Sequence, residues 1–188
     1  MEPTGLAVDG FGNVYIADTG HDQIWFWPRG DRRLCVVNTE MAGGLSRPTS
    51  LVVDAAGILY IADTGHNRVL RMVASCNPGN IAEIDTNPFS LNGPSGLTVC
   101  GGNLFIADTG NDRVLRYPVL LGRGSVLFAG GGTMLGCNYT GSALEARLSK
   151  PTGLAVDGPC CVYIADTGNH CIRRVCLSNG VIEPVFGP

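Results

Sequence analysis

Charge, aromatic rings and lysine are all scarce in this chain. Charged residues make up 15% and aromatic residues 7% of its 188 positions. Lys150 is the single lysine; the arginines are scattered over the whole length and the net charge is -3. That scatter lacks the clustered basic footprint that tracking a phosphate backbone requires. No apolar run approaches the roughly 18–20 residues a bilayer span needs, which predicts a soluble chain without an address. The eight cysteines (Cys35, Cys76, Cys100, Cys137, Cys160, Cys161, Cys171 and Cys176) contain no Cys-x-x-Cys spacing. This argues against a zinc ribbon and leaves their connectivity open.

What the chain does have is glycine, 27 of them, and short apolar segments punctuated by Gly, Pro, Asp and Asn. Helix-favouring runs are rare, so many short strands are expected. One stretch recurs four times: Tyr15–Gly20, Tyr60–Gly65, Phe105–Gly110 and Tyr163–Gly168, each reading Tyr/Phe-Ile-Ala-Asp-Thr-Gly. An opening phrase precedes each copy, Pro-Thr-Gly-Leu-Ala-Val-Asp at Pro3–Asp9 and Pro151–Asp157, with variants at Pro48–Asp54 and Pro94–Cys100. The openings lie 45, 46 and 57 residues apart. A period of this length marks a repeat architecture.

Each repeat predicts four strands. They are Gly5–Asp9, Val14–Ala17, Gln23–Trp27 and Leu34–Asn38 in the first, and Ser50–Asp54, Leu59–Ala62, Arg68–Val73 and Ile81–Asp85 in the second. The third has Gly96–Cys100, Leu104–Ala107, Arg113–Pro118 and Ser125–Phe128, and the fourth Gly153–Asp157, Cys161–Ala165, Cys171–Cys176 and Val181–Phe186. Four antiparallel strands that cannot bury both faces alone make a propeller blade. The expected blades are 3–43, 48–90, 94–130 and 151–188 within one domain. The insertion at 129–150 is glycine-rich at first, with two helical turns expected over Ser142–Leu148, and a loop of this length is usually mobile or functional.

The phrases Pro-Thr-Gly-Leu-Ala-Val-Asp, Asn-Val-Tyr-Ile-Ala-Asp-Thr-Gly and Asn-x-Arg-Val together resemble the NHL repeat, and the resemblance covers essentially the whole chain. It implies an all-β fold, a β-propeller of NHL type with four four-stranded antiparallel blades. Closed rings of that family usually have more blades, so an incomplete ring or arc is expected, completed by a protein partner, by further blades of the same propeller or by self-association. Some NHL propellers bind single-stranded RNA on a basic face; the mild acidity here disfavours nucleic acid. Amidating lyases of similar architecture carry metal histidines near the blade-opening prolines. The matching windows here offer Thr4, Thr49, Ser95 and Thr152 instead, which counts against that chemistry.

Asp18, Asp63, Asp108 and Asp166 are expected to be structural. An Asp-Thr-Gly turn spends its carboxylate on nearby amides, and identical use in every blade is scaffolding. The triplet also matches the aspartic-protease signature, but that enzyme needs two such loops facing each other. Asp9, Asp54 and Asp157 end the first strands while Cys100 breaks the series, so no symmetric cation ring is expected. His21, His66 and His170 could in principle hold zinc, yet exposed turns explain them without a metal, and neither metal nor cofactor is expected. Arg68, Arg71, Arg113, Arg116, Arg173 and Arg174 recur on the third strand and are expected to form ion pairs with the turn aspartates, each worth little if exposed. Cys161 and Cys176 can approach across a hairpin; reduced core cysteines are the simpler expectation in this blade. Asn138-Tyr139-Thr140 has the form of a glycosylation acceptor, which leaves a secreted setting open.

Residues that differ between repeats are the expected contacts with other molecules. In a meander the second-to-third-strand turns and the blade connections emerge at one end. The candidate partner-binding residues are therefore His21, Asp22, His66, Asn67, Arg68, Asn111, Asp112, Arg113, Asn169 and His170, together with Trp25 and Trp27, which share one strand face. The leading expectation is a non-enzymatic protein-interaction or scaffold module; the alternatives are a metal-dependent lyase or hydrolase and a single-stranded RNA binder. Deleting 131–146 is expected to weaken partner capture and spare the fold.

Overall fold

A computed structural model describes every residue except Met1, Arg32, 78–79, 159–160 and Pro188. Cys160 therefore lies outside the described residues. The chain divides into two compact units, Met1–Ile84 and Asp85–Pro188.

The first unit holds two blades. Blade 1 is β1 (Pro3–Val8), β2 (Val14–Asp18), β3 (Gln23–Trp27) and β4 (Cys35–Val36), and blade 2 is β5 (Pro48–Val53), β6 (Ile58–Asp63), β7 (Arg68–Val73) and β8 (Ile81–Glu83). Both are antiparallel meanders in chain order. In blade 1 the register sets Gly5, Ala17 and Ile24 in one row and Ala7, Tyr15 and Phe26 in the next, on one face of the sheet. This is the front face. It packs on the back face of blade 2, where Leu51, Ile61 and Leu70 form one row and Leu59 and Met72 belong to the next, in a shared core. Tyr15, Ala17, Ile24, Leu59 and Ile61 are fully buried in it. A disulfide, Cys35–Cys76, joins the outer strand of blade 1 to the segment after β7.

The second unit repeats the arrangement with β9 (Pro94–Cys100), β10 (Asn103–Asp108), β11 (Arg113–Pro118) and β12 (Val126–Gly130) in blade 3. Blade 4 comprises β14 (Pro151–Asp157), β15 (Cys161–Asp166), β16 (Cys171–Cys176) and β17 (Val181–Phe186), with β13 (Gly141–Ser142) added along its outer edge. Its sheet thus has five strands, not four. Phe105 and Val114 of blade 3 share a core with Val162, Ile164, Val175 and Ile182 of blade 4.

The insertion corrects two expectations. Ser142 ends a strand and no helix follows it, because 142–148 pair with their surroundings: Gly130 N–H donates to Ala143 O, Met134 N–H to Glu145 O and Arg147 N–H to Met134 O. Nor is the segment a free loop. Ala143, Ala146 and Leu148 are buried in the core, and a Cys137–Cys171 disulfide staples it to the first residue of β16. Cys171 is therefore oxidised, against the expectation of a reduced core cysteine. Deleting 131–146 would remove core and crosslink together, so it cannot spare the fold. Cys161 and Cys176 face each other in register with their sulfurs 3.5 Å apart.

Hydroxyl groups tie the two blades of each unit. Thr4 Oγ1 lies 2.5 Å from Thr19 Oγ1, which donates to the Pro48 carbonyl at 2.5 Å; Thr4 Oγ1 also lies 3.2 Å from the Thr49 carbonyl. In the second unit Ser95 Oγ lies 2.5 Å from Thr109 Oγ1, which donates to the Pro151 carbonyl at 2.7 Å.

Candidate interaction face

The turn at the end of each second strand has one plan. An aspartate closes the strand, a single turn of 3-10 helix follows, and the next residue takes left-handed geometry: Asp22 (φ 55°), Asn67 (55°), Asp112 (54°) and His170 (57°). Asn and Asp tolerate that conformation better than most residues. The glycine of Asp-Thr-Gly answers to close approach, since a Cβ on Gly65 would lie 2.8 Å from the Ser46 carbonyl and one on Gly168 2.8 Å from that of Ser149.

All four aspartates are buried, and each is saturated. Oδ1 accepts the amide of the residue leading into the blade: Glu2 (2.8 Å), Ser46 (2.7 Å), Asn92 (2.7 Å) and Ser149 (2.7 Å). Two side chains of the same blade complete the shell. Asp63 Oδ2 faces His66 Nδ1 at 2.9 Å and Arg68 Nε at 2.7 Å; Asp108 Oδ2 takes Asn111 Nδ2 and Arg113 Nε, both at 2.8 Å. Asp166 Oδ2 takes Asn169 Nδ2 at 2.9 Å and, more distantly, Arg173 Nη1 at 3.5 Å. Asp18 faces His21 at 3.0 Å and accepts from Trp25 Nε1 at 3.2 Å. The Glu2 amide first, then His21, with a smaller contribution from Trp25, hold its carboxyl down at about 2.

The guanidinium groups also clamp the chain that enters their blade. Arg68 donates to Gly44 O at 2.7 Å and Arg113 to Ser90 O at 2.8 Å, while Arg173 reaches Arg147 O and Tyr139 O at 3.4 Å. These pairs differ from the weak rim pairs expected, because the carboxylates are buried and Arg173 is wholly so. Arg174 pairs with Glu183, and Arg71 and Arg116 are exposed. The Asp22 carboxylate accepts the Arg47 amide at 2.6 Å, and that of Asp112 the Lys150 amide at 2.7 Å, so each ties its blade to the opening of the next. Asp9 and Asp54 close the first hairpins: Asp9 takes the amides of Phe11 and Asn13, Asp54 those of Ala56 and Ile58, all at 2.9 Å.

His21 and His66 remain substantially exposed beside their aspartates, as do Asp22, Asn67, Asn111, Asp112 and His170; Asn169 is half-buried. The histidines occupy separate turns. Among the described residues no group of three or more His, Cys, Asp or Glu is placed to hold a metal ion. Trp25 and Trp27 share the back face of blade 1, as strand alternation requires, with Phe26 stacked on Tyr15 on the other side at 4.9 Å between ring centres. Trp27 donates to Asp31 O at 2.8 Å. The sequence reading missed the hydroxyl relay, although Thr or Ser at the second place of every opening phrase and Thr in every Asp-Thr-Gly were its signal. It also missed Trp25 as a carboxylate donor, since that residue stands two places beyond the Arg68 position.

The NHL repeat pattern matches residues 45–72 and 91–117. No curated protein matches the chain. Among solved structures it is similar to a streptogramin B lyase, at 15% identity and a TM-score of 0.73 over 97% of this chain and 54% of that one. It is similar also to virginiamycin B lyase from Staphylococcus aureus, at 18% identity and 0.72 over 99% and 56%. A third, a protein of unknown function from Bacteroides thetaiotaomicron, gives 18% and 0.70 over 92% and 46%. At such identities the likeness is one of fold, and the chain spans about half the length of these structures.

Proposed function

This chain carries NHL repeats in an all-β, propeller-type fold, and from that premise we propose that it is a non-enzymatic protein-interaction or scaffold module. The contacts we assign to it are the exposed turn residues His21, Asp22, His66, Asn67, Asn111, Asp112 and His170, with Asn169 half-buried among them, at the same end of their blades as the blade connections. One observation carries the reading: the acidic groups repeated in every blade, which would be the obvious reagents, are each saturated by hydrogen bonds from their own unit. That leaves architecture for what repeats and contact for what varies. Exposed apolar residues on the insertion, Met134, Leu135 and Leu144, extend the variable surface in the second unit.

The test compares proteins captured by the immobilised chain with those captured by a His66→Ala/His170→Ala variant of equal thermal stability. At least one specific partner should be lost or weakened, and an identical captured set would count against the assignment. A lyase reading, suggested by what the similar structures are called, requires metal-binding side chains to converge. Stoichiometric divalent metal in the purified chain would favour it over ours.

A further inference from the structure

Two sheet faces are open, and each copies one half of an interface that the chain builds elsewhere. The front face of blade 4 bears Gly153, Ala165 and Ile172 in one row and Ala155, Tyr163 and Arg174 in the next; these are the register places of Gly5, Ala17, Ile24, Ala7, Tyr15 and Phe26 of blade 1, with Arg174, paired to Glu183, standing where blade 1 has Phe26. In blade 1 the side chains of Ala7, Tyr15, Ala17 and Ile24 are buried under blade 2. In blade 4 Ala155 is exposed and Tyr163, Ala165 and Ile172 are half-buried. The back face of blade 1 bears Leu6, Ile16 and Trp25 in one row and Val8, Val14 and Trp27 in the next, matching the places from which blade 2 offers Leu51, Ile61, Leu70, Leu59 and Met72 to blade 1. Here Leu6 is 67% and Val8 62% exposed.

A glycine and two hydroxyls say what fits the open front face. A Cβ on Gly5 would lie 2.5 Å from the Thr49 carbonyl of blade 2, and one on Gly96 would collide with the Thr152 carbonyl of blade 4. In both places glycine is what lets the next opening strand close in. Gly153 stands at the equivalent position with ordinary φ, and a Cβ there would meet only Ala165 of its own sheet at 3.5 Å. Nothing in its own blade requires glycine. Thr152 and Thr167 hydrogen-bond to each other at 2.6 Å and Thr167 approaches its own Ala165 carbonyl at 3.3 Å; Thr109 approaches its own Ala107 carbonyl in the same way at 3.5 Å but, like Thr19, also donates to the opening proline carbonyl of the blade that follows.

We propose that the front face of blade 4 receives the back face of blade 1 of a second copy of this chain, head to tail, with Gly153 beneath the second copy's Thr4 carbonyl and Thr152 and Thr167 bonding to its opening strand. A second copy is the occupant because both halves of the interface, apolar donor and glycine-bearing acceptor, are exposed on this one sequence. Such a heterologous contact either closes a ring or propagates. It uses the sheet faces and is independent of the turn residues assigned above.

Gly153→Val and Leu6→Asp test it, since neither meets an obstacle within its own unit. At high micromolar concentration the chain should sediment as an assembly heavier than its 19.7 kDa monomer. Each variant should keep the strand signature and melting temperature of the dissociated chain and weaken association by roughly tenfold or more. Mixing the two should yield a heterodimer, because one undamaged front face then meets one undamaged back face. A chain that stays monomeric, variants that associate as before, or a mixture that forms no heterodimer would each overturn the proposal.

Discussion

Blade 2 and blade 4 bury the same carboxylate and hold it differently. In blade 2, Arg68 opens the third strand and approaches Asp63 at 2.7 Å. In blade 4 the first place of the third strand belongs to Cys171, committed to the disulfide with Cys137, and the cation comes from Arg173 two residues on, at 3.5 Å and fully buried. The turn itself is unchanged, with a leading amide on Oδ1 and a third-position side chain on Oδ2 in both. What the fold demands is therefore a donor aimed at a buried anion, not an arginine at one address. Blade 1 makes the same point with Trp25. Removing such a partner leaves an uncompensated buried charge, whereas moving it along the strand preserves the pairing.

The largest expected effect is on the anion. Asp63→Ala strips Arg68, His66 and the Ser46 amide of their common partner and should cost about 3–5 kcal/mol in denaturant unfolding. Next, Cys137→Ser with Cys171→Ser should cost about 2–4 kcal/mol by freeing the insertion, and Cys137→Ser with Cys171→Arg should recover part of that loss by restoring the blade 2 arrangement. Acid gives a smaller effect in blade 1. Because the carboxyl of Asp18 is held at about 2 when folded, against an ordinary value of about 3.9, its stabilisation is complete above pH 4 and is lost as pH falls through 2. The stability gap between the parent chain and Asp18→Asn should close over that interval. The smallest effect is His66→Asn, expected to stay within about 0.5 kcal/mol because Asn111 and Asn169 already fill this place; a large loss would show that the imidazole does more than donate one hydrogen bond.

Much of this arrangement was legible from residue order. Strands β3, β7, β11, β16 and β17 have the predicted bounds, since alternation and flanking turns fix them locally. The hydrogen bonds of the turn aspartates are local too, their partners lying three to seven residues away or in the one or two residues that lead into the opening strand. The insertion was not legible. Its order comes from Ala143, Ala146 and Leu148 entering a core built by other strands, and a Ser-Ala-Leu-Glu-Ala-Arg-Leu run fits a helix equally well until those strands are in place. The disulfides were beyond reach too, because Cys35 and Cys137 find partners 41 and 34 residues on and nothing local singles them out. The outer strands of the first unit came out shorter than expected, β4 at two residues against five and β8 at three against five.

The threonine contacts between blades carry an arithmetic of their own. Thr4 and Thr19 own two hydroxyl hydrogens, yet three oxygen-to-oxygen approaches converge on them. Only two can be bridged at once, and the distances select the pair at 2.5 Å over the one at 3.2 Å. The hydrogens then point one way, from opening strand to turn to neighbouring carbonyl. Replacing Thr19 by valine would sever both links, whereas replacing Thr4 would sever one and leave Thr19 still anchored to Pro48.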